Sequence, residues 1–238
     1  MEDVVGRLIA EIGQNSSGAD GLRLAAVRIA DLDGPGGYEE ERRLAATLPA
    51  RRRAEFLAGR AAAHRALAGA GLDDGPVLFE GRRPRPPAAA RVSISHSGGV
   101  AVALAGPADR YRTLGVDVEL GGGPPLAAAH LVLGPAERAG GGLLDTGAPD
   151  AAEQLVALFS AKEAAFKALG PLVAPDELPG LRAVVFTPEP GPRARPDGGR
   201  CAGGSAWLAA PEARPDVRVR VTVRRLAAGV LSWALPVD

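Results

Sequence analysis

The residues with the greatest capacity for chemistry lie in three separated stretches. In Gly115-Val116-Asp117-Val118-Glu119, strand alternation sends Asp117 and Glu119 to one face and Val116 and Val118 to the other. Two carboxylates on one face repel unless water or a shared cation offsets their charge, so the choice is between a solvated polar face and a cation site. Around residues 158–169, Leu-Phe-Ser-Ala-Lys-Glu-Ala-Ala-Phe-Lys-Ala-Leu, the apolar positions Leu158, Phe159, Phe166 and Leu169, with Leu155 just before them, recur at three- and four-residue spacing. That spacing is one helical stripe. Lys162 falls on the stripe, Glu163 sits beside it, and Glu163 and Lys167 form an i,i+4 pair. A weak surface ion pair at the edge of a core helix is the plainer reading. The third stretch, Ser93-Ile94-Ser95-His96-Ser97-Gly98-Gly99, puts hydroxyls and an imidazole before two glycines, a combination able to donate to phosphate oxygens. A Ser–His nucleophilic pair competes with that reading. Strand neighbours point to opposite faces, however, so His96 is poorly placed to activate Ser95 or Ser97, and an ordinary polar turn is the third choice.

Asp117, Glu119 and Glu163 together make three carboxylates available. Oxygen-only ligands favour a hard cation, and Mg²⁺ held by few carboxylates normally shares its other positions with water and phosphates. A basic run, Arg51-Arg-Arg-Ala-Glu-Phe-Leu-Ala-Gly-Arg60, is either a solvated helix face or a source of phosphate donors. His64 and His130 are assigned no role.

Composition confines any anion binding to local sites, because 28 basic and 28 acidic side chains leave no formal net charge. Nothing in that balance argues for nucleic acid or a membrane surface as partner. The single cysteine, Cys201, excludes an internal disulfide framework and CxxC metal sites. No apolar run reaches about 18 residues, so no membrane span is expected. The mixed, acidic N-terminus lacks a signal-peptide pattern, and a cytoplasmic location is expected.

At 238 residues the chain suffices for one large domain or two small ones. A short helix is expected within residues 1–21 and a strand over 22–30, followed by two helical segments from Glu39 to Ala70 that meet at Pro49. Residues 69–75 and 82–87 read as loops. Val92–Ser97 and Val100–Ala105 read as a hairpin about Gly98-Gly99, and Thr113–Leu120 as a strand. A short helix is expected around Pro135–Arg138, and Gly170-Pro171 ends the charged helix. Beyond it come a strand over Leu181–Phe186, an unstructured loop over Gly191–Gly204, and three closing antiparallel strands at 206–209, 217–225 and 229–235. The middle one alternates Val217, Val219, Val221 and Val223 against Arg218, Arg220 and Arg224. Each half holds a long helix and antiparallel strands, so the fold class is α+β.

Taken in order and spacing, Ser-His-Ser at 95–97, Gly-Val-Asp-Val-Glu at 115–119 and Phe-Ser-Ala-Lys-Glu-Ala-Ala-Phe-Lys at 159–167 resemble the 4′-phosphopantetheinyl transferases. Ala-Glu-Phe-Leu-Ala-Gly-Arg at 54–60 is similar to the branch that serves siderophore, peptide and polyketide synthetases. The motifs are weak singly and specific as an ordered set. The resemblance implies two similar α+β halves about a pseudo-two-fold, residues 1–112 contributing the nucleotide contacts and residues 113–238 the metal-binding strand and charged helix. It implies Mg²⁺, with Mn²⁺ as the alternative, on Asp117, Glu119 and Glu163, with Glu163 also the base. It further implies Lys162 and Lys167 at the coenzyme A pyrophosphate, Ser95 and His96 at its 3′-phosphoadenosine end, and Arg60 and, more loosely, Arg52 on the nucleotide. Glu163, Lys167 and His96 make up the implied catalytic set, while Glu137 matches an acidic position without a settled role. The implied reaction moves 4′-phosphopantetheine from coenzyme A to a serine of an apo acyl, polyketide or peptidyl carrier protein, and a monomer is expected. Two departures stand out. Phe159 replaces a tryptophan, and residues 80–87 lack the usual lysine and aromatic-proline pair, leaving Arg82, Arg83 or Arg85 to replace the charge. A Mg²⁺-dependent pyrophosphate hydrolase and an inactive carrier-docking module are the rival readings.

Overall fold

The computed structural model describes residues 21–32, 37–73, 75–138, 143–188 and 205–237. The helix expected near the N-terminus, within residues 1–20, and the loop over 191–204 lie outside the described residues. In chain order, β1 (Arg23–Arg28) precedes α1 (Glu39–Ala46), whose first turn carries Glu39, Glu40 and Glu41 where the helix dipole favours negative charge. Pro49 separates α1 from α2 (Ala50–Gly69), as its position between two helical patterns implied. Next come β2 (Leu78–Glu80) and β3 (Arg83–Arg85), a short antiparallel hairpin whose second strand lies in the segment read as a loop. Its prolines hide a strand from a period-based reading, because Pro84 is tolerated only where no ladder donor is needed. Strands β4 (Ala90–Ser97) and β5 (Val100–Pro107) follow, joined at Gly98 and Gly99, whose φ angles of 56° and 81° suit a tight hairpin turn.

The second half opens with β6 (Gly115–Leu120) and two one-turn helices, α3 (Ala129–Val132) and α4 (Pro135–Arg138). The charged helix is α5 (Ala151–Leu169). Behind it, the run expected as a strand from Leu181 begins with a 3₁₀ turn and becomes extended only in β7 (Val184–Pro188). Closing the chain are β8 (Ser205–Pro211), β9 (Val219–Leu226) and β10 (Gly229–Pro236). Among the described residues, no helix is long and apolar enough to cross a membrane.

Beside the β2–β3 hairpin, the described residues form two larger antiparallel sheets, ordered β1-β5-β4 and β6-β10-β9-β8-β7. Strand alternation divides their side chains among three cores. Val27, Ala101, Ala103 and Ala105 pack under Ala62, Ala66 and Leu67 of α2. On the opposite face, Ala26, Val100, Val102 and Leu104 meet Val116, Val118, Leu120 and Leu231 of the second sheet. Beyond that sheet, Val219, Val221, Val223 and Val230 bury against Leu155, Ala164 and Ala168 of α5. The order of layers is helix, sheet, sheet, helix.

The approach of α5 to β6 is very close. A Cβ added to Gly115 would lie 1.9 Å from the Ala164 carbonyl oxygen, a backbone atom that cannot rotate away. Gly115→Ala is expected to push α5 off β6 and cost about 2–3 kcal/mol as overpacking. Urea denaturation of the variant beside the wild type checks this.

Candidate active site

Strands β4 and β6 are the facing edges of the two sheets, and among the described residues no backbone ladder joins them. Serines at every second position of β4 fill the seam. The Ser93 hydroxyl accepts the Val116 N–H at 3.0 Å, and that of Ser97 accepts the Leu120 N–H at 3.1 Å. Ser95 donates to Asp117 Oδ1 at 2.8 Å, and Ser97 to Glu119 Oε2 at 3.3 Å. A hydroxyl both donates and accepts, so one row of serines satisfies the edge of β6 and orients both its carboxylates.

Lys167 reaches in from α5. Its Nζ donates to Asp117 Oδ1 at 2.8 Å and to the Val116 carbonyl at 3.0 Å. Asp117 is buried, and its other oxygen, Oδ2, has no hydrogen-bond partner among the described residues. The Glu119 carboxyl is pushed up to about 7, first by burial and then by Asp117, with Glu163 adding and Ser97 and Lys167 opposing. Glu163 is also raised, by burial foremost and by Asp117, against the pull of Lys167. One buried and two half-buried carboxylates, only partly offset by one ammonium, mark this place.

Two clefts border the seam on either side of the β2–β3 hairpin. The first, about 650 Å³, is lined by Arg52, Phe56, Arg60, Phe79, Arg82 and His96 among others. Phe56 meets Phe79 edge-on at 6.2 Å between centroids and carries the Arg60 guanidinium 4.2 Å above its ring. Burial pulls Arg60 down to about 10 against the attraction of Glu41, and among the described residues its Nε has no hydrogen-bond partner. His96 stands at the mouth, 3.9 Å from Glu55. Burial first, then Arg52, Lys167 and Arg51, hold its imidazole below the ordinary range, with Glu55 opposing. The second cleft, about 660 Å³, runs between the halves, with Arg83, Arg85, Arg91 and Arg112 along it and Glu163 and Lys167 in its wall. Arg83 crosses between the halves by donating to the Gly170 carbonyl at 2.6 Å.

Family models match both halves of the chain. Residues 39–106 match the 4′-phosphopantetheinyl transferase N-terminal domain, and residues 113–222 match the 4′-phosphopantetheinyl transferase superfamily. The chain belongs to the 4′-phosphopantetheinyl transferase superfamily. Its two-part α+β architecture, antiparallel sheets with packed helices, is that of the family, and the family's reaction is 4′-phosphopantetheinyl transfer. No curated protein matches the chain in sequence.

Within this transferase fold, Asp117, Glu119, Glu163 and Lys167 are brought together at the seam, and His96, Arg60 and Arg52 around the first cleft. Ser95 belongs to the seam, since it is buried against Asp117. Lys162, expected beside Lys167, is elsewhere. Five residues apart on a helix is roughly 140° of rotation, so the two lysines leave opposite sides of α5. Lys162 is 0% exposed and bonds Glu137 Oε2 at 2.5 Å and the Val184 carbonyl at 2.8 Å. Burial lowers its pKa, and Glu137 opposes the shift. It is a core cation, and Glu137, whose role the sequence left open, is its counterion. For the stitching by Ser93 and Ser97 the sequence carries only the two-residue alternation of Ser93, Ser95 and Ser97; for Glu137 and Lys162, 25 residues apart, it carries no local pattern.

Lys162→Met should cost about 3–5 kcal/mol, because Glu137 is left buried without its counterion. Adding Glu137→Leu should recover much of that loss in urea denaturation.

Proposed function

We propose that the protein transfers the 4′-phosphopantetheinyl group of coenzyme A to a serine hydroxyl of an apo carrier protein, releasing adenosine 3′,5′-bisphosphate. The carriers are those of siderophore, peptide or polyketide synthetases, and the protein acts in the cytoplasm as a monomer. The observation that carries this reading is the partly neutralised set of Asp117, Glu119, Glu163 and Lys167, placed between an arginine- and aromatic-lined cleft and a second cleft open to an acceptor.

A divalent cation suits the donors present. Among the described residues Asp117 Oδ2 is buried without a partner, and Glu119 is held up to about 7 by burial and a like charge. Both conditions are relieved by a cation between them. Among the described residues no three His, Cys, Asp or Glu side chains already form a metal cage. Mg²⁺ sites commonly take only one or two protein carboxylates and complete their shell with water and phosphate oxygens. Asp117 and Glu119 would hold the ion, with Glu163 at its edge; bound Mg²⁺ or Mn²⁺ would neutralise charge on the pyrophosphate.

The protein's own residues supply the rest. Phe56 and Phe79 offer faces for a base, and Arg60, Arg52 and His96 offer donors for the phosphates of the nucleotide end. Glu163, its carboxyl raised by burial and so more basic than an ordinary carboxylate, accepts the proton as the serine oxygen bonds the pantetheine-side phosphorus. The pyrophosphate P–O bond breaks, and its electron pair leaves with the nucleotide. Lys167 has spent two of its three N–H donors on Asp117 and Val116, which leaves one for the leaving phosphate.

Intact-mass analysis of apo carriers incubated with the protein, coenzyme A and Mg²⁺ should show a gain of one phosphopantetheinyl group. Nucleotide release without that gain would establish the hydrolase, and binding without turnover the docking module. Asp117→Ala should abolish most transfer. Glu163→Gln should lose roughly 10²–10⁴-fold in kcat even at saturating Mg²⁺ if Glu163 is the base; full recovery with added Mg²⁺ would reduce it to a metal ligand.

His96→Ala should raise the KM for coenzyme A more than it lowers kcat, since the imidazole is remote from the reacting phosphorus. Comparing coenzyme A with its analogue lacking the 3′-phosphate checks this, and equal discrimination by wild type and variant would remove His96 from the nucleotide site.

A further inference from the structure

Behind the first cleft lies a charged cluster that the proposed reaction does not use. Glu41 of α1 is 0% exposed, although it is an ionisable side chain in an N-terminal helical turn. Its Oε1 is 2.8 Å from His64 Nε2, and the other imidazole nitrogen, Nδ1, is 2.7 Å from Asp73 Oδ1. Glu41 Oε1 also accepts the Val77 N–H at 2.7 Å, and its Oε2 accepts the Tyr38 N–H at 3.2 Å. The Tyr38 ring covers the imidazole at 5.1 Å between centroids.

A neutral imidazole has one N–H donor and one acceptor, and ionised carboxylates only accept. With a carboxylate oxygen at hydrogen-bond distance from each ring nitrogen, the neutral ring would leave one lone pair facing a carboxylate. Only the imidazolium donates at both ends. Asp73 and Val77 bracket the chain that leads directly into β2, and Leu78, the first residue of β2, accepts a hydrogen bond from Arg60 at 3.2 Å. Phe79 follows it and lines the cleft. The cluster therefore grips the root of the hairpin that forms one wall of the cleft.

We infer that Glu41, His64 and Asp73 form an imidazolium clamp that positions the β2–β3 hairpin, with Leu78 and Phe79, against Arg60 and Phe56, and so sets affinity for the nucleotide end of the substrate. The consequence for binding rests on the function proposed above; the clamp itself does not. Among the described residues, the titratable and charged groups facing His64 are Glu41 from α1 and Asp73 from the loop after α2, with the Tyr38 ring tilted against the imidazole and Arg60 of α2 acting on Glu41 through its charge. Burial alone would lower the His64 pKa, but its bonds to Glu41 and Asp73 raise it above the ordinary value. Burial would raise Glu41, but His64, Val77 and Tyr38 together lower it. A raised imidazole pKa gives stability that is complete at low pH and is lost as pH rises through the folded value. A lowered carboxyl pKa gives stability that is lost as pH falls through its own folded value. The clamp holds between those limits and opens on the alkaline side by loss of the His64 proton.

The test follows the His64 ring, the Val77, Leu78 and Phe79 amides, and the affinity for adenosine 3′,5′-bisphosphate across pH 6–9 in the full chain. NMR should show the ring titrating above the ordinary histidine value, with the three amides shifting over the same interval. Nucleotide affinity measured calorimetrically should fall there by roughly tenfold, about one charge-assisted hydrogen bond. Asp73→Asn, a change near the surface, should move the ring, amide and affinity transitions together to lower pH. A His64 that titrates at or below the ordinary value overturns the clamp, as do amides indifferent to its titration or an affinity transition that ignores Asp73→Asn. If the wild type binds no nucleotide at any pH, the proposed function fails, and the clamp is judged on the ring and the amides.

Discussion

The seam between β4 and β6 is the constraint on which the rest of the site depends. Two strand edges meet there, and edge N–H groups must find partners. A backbone ladder would satisfy them by merging the sheets, and would leave no room between the strands. The hydroxyls of Ser93 and Ser97 accept the Val116 and Leu120 N–H groups instead, and those of Ser95 and Ser97 donate to Asp117 and Glu119. The strands are thus joined through side chains, and carboxylates occupy the join. Replacing the ladder with serines converts an interface between two halves into a place where charge can be held.

Holding that charge requires a contrast between two lysines of one helix. Lys162 is closed in with Glu137, a pair whose desolvation is offset by several short hydrogen bonds and which offers nothing to a ligand. Lys167 is partly exposed, and three carboxylates surround it, so neutralisation is left incomplete. The first arrangement anchors α5 to the body of the second half. The second leaves the seam with a surplus of negative charge that a cation and a phosphate can complete. Because the whole chain is neutral, this surplus and the arginines of the two clefts are local fields, effective within about a Debye length.

Much of the fold could be read from the chain because it is written in short-range periodicity. The alternation of Val219, Val221 and Val223 and the three- and four-residue rhythm of Leu155, Leu158 and Leu169 reflect burial on one face, and that burial is observed. Gly98 and Gly99 take the positive φ of a hairpin turn and Pro171 cannot continue a helix, reasons that hold in any context, whereas Gly170 keeps right-handed helical backbone. The hairpin at Leu78–Arg85 escaped because its strands have three residues each, too few for a period, and because its prolines mimic a loop. Leu181 and its neighbours read as extended, yet Leu181-Arg182-Ala183 close a 3₁₀ turn, and the strand begins only at Val184, where the β-branched residues begin.

The site divides along the same line. The sequence by itself determined that Asp117 and Glu119 share a face, that Glu163 and Lys167 share a side of one helix, and that the serines of β4 alternate, since each of these relations is a property of one element's geometry. Only the tertiary structure decided which faces meet. It sent Lys162 to Glu137 rather than to the carboxylates, gave Ser95 to Asp117, placed an imidazole between Glu41 and Asp73, and raised Glu119 by burying it near its neighbours. Those outcomes depend on desolvation and on distances between residues far apart in the chain, quantities that no local pattern encodes.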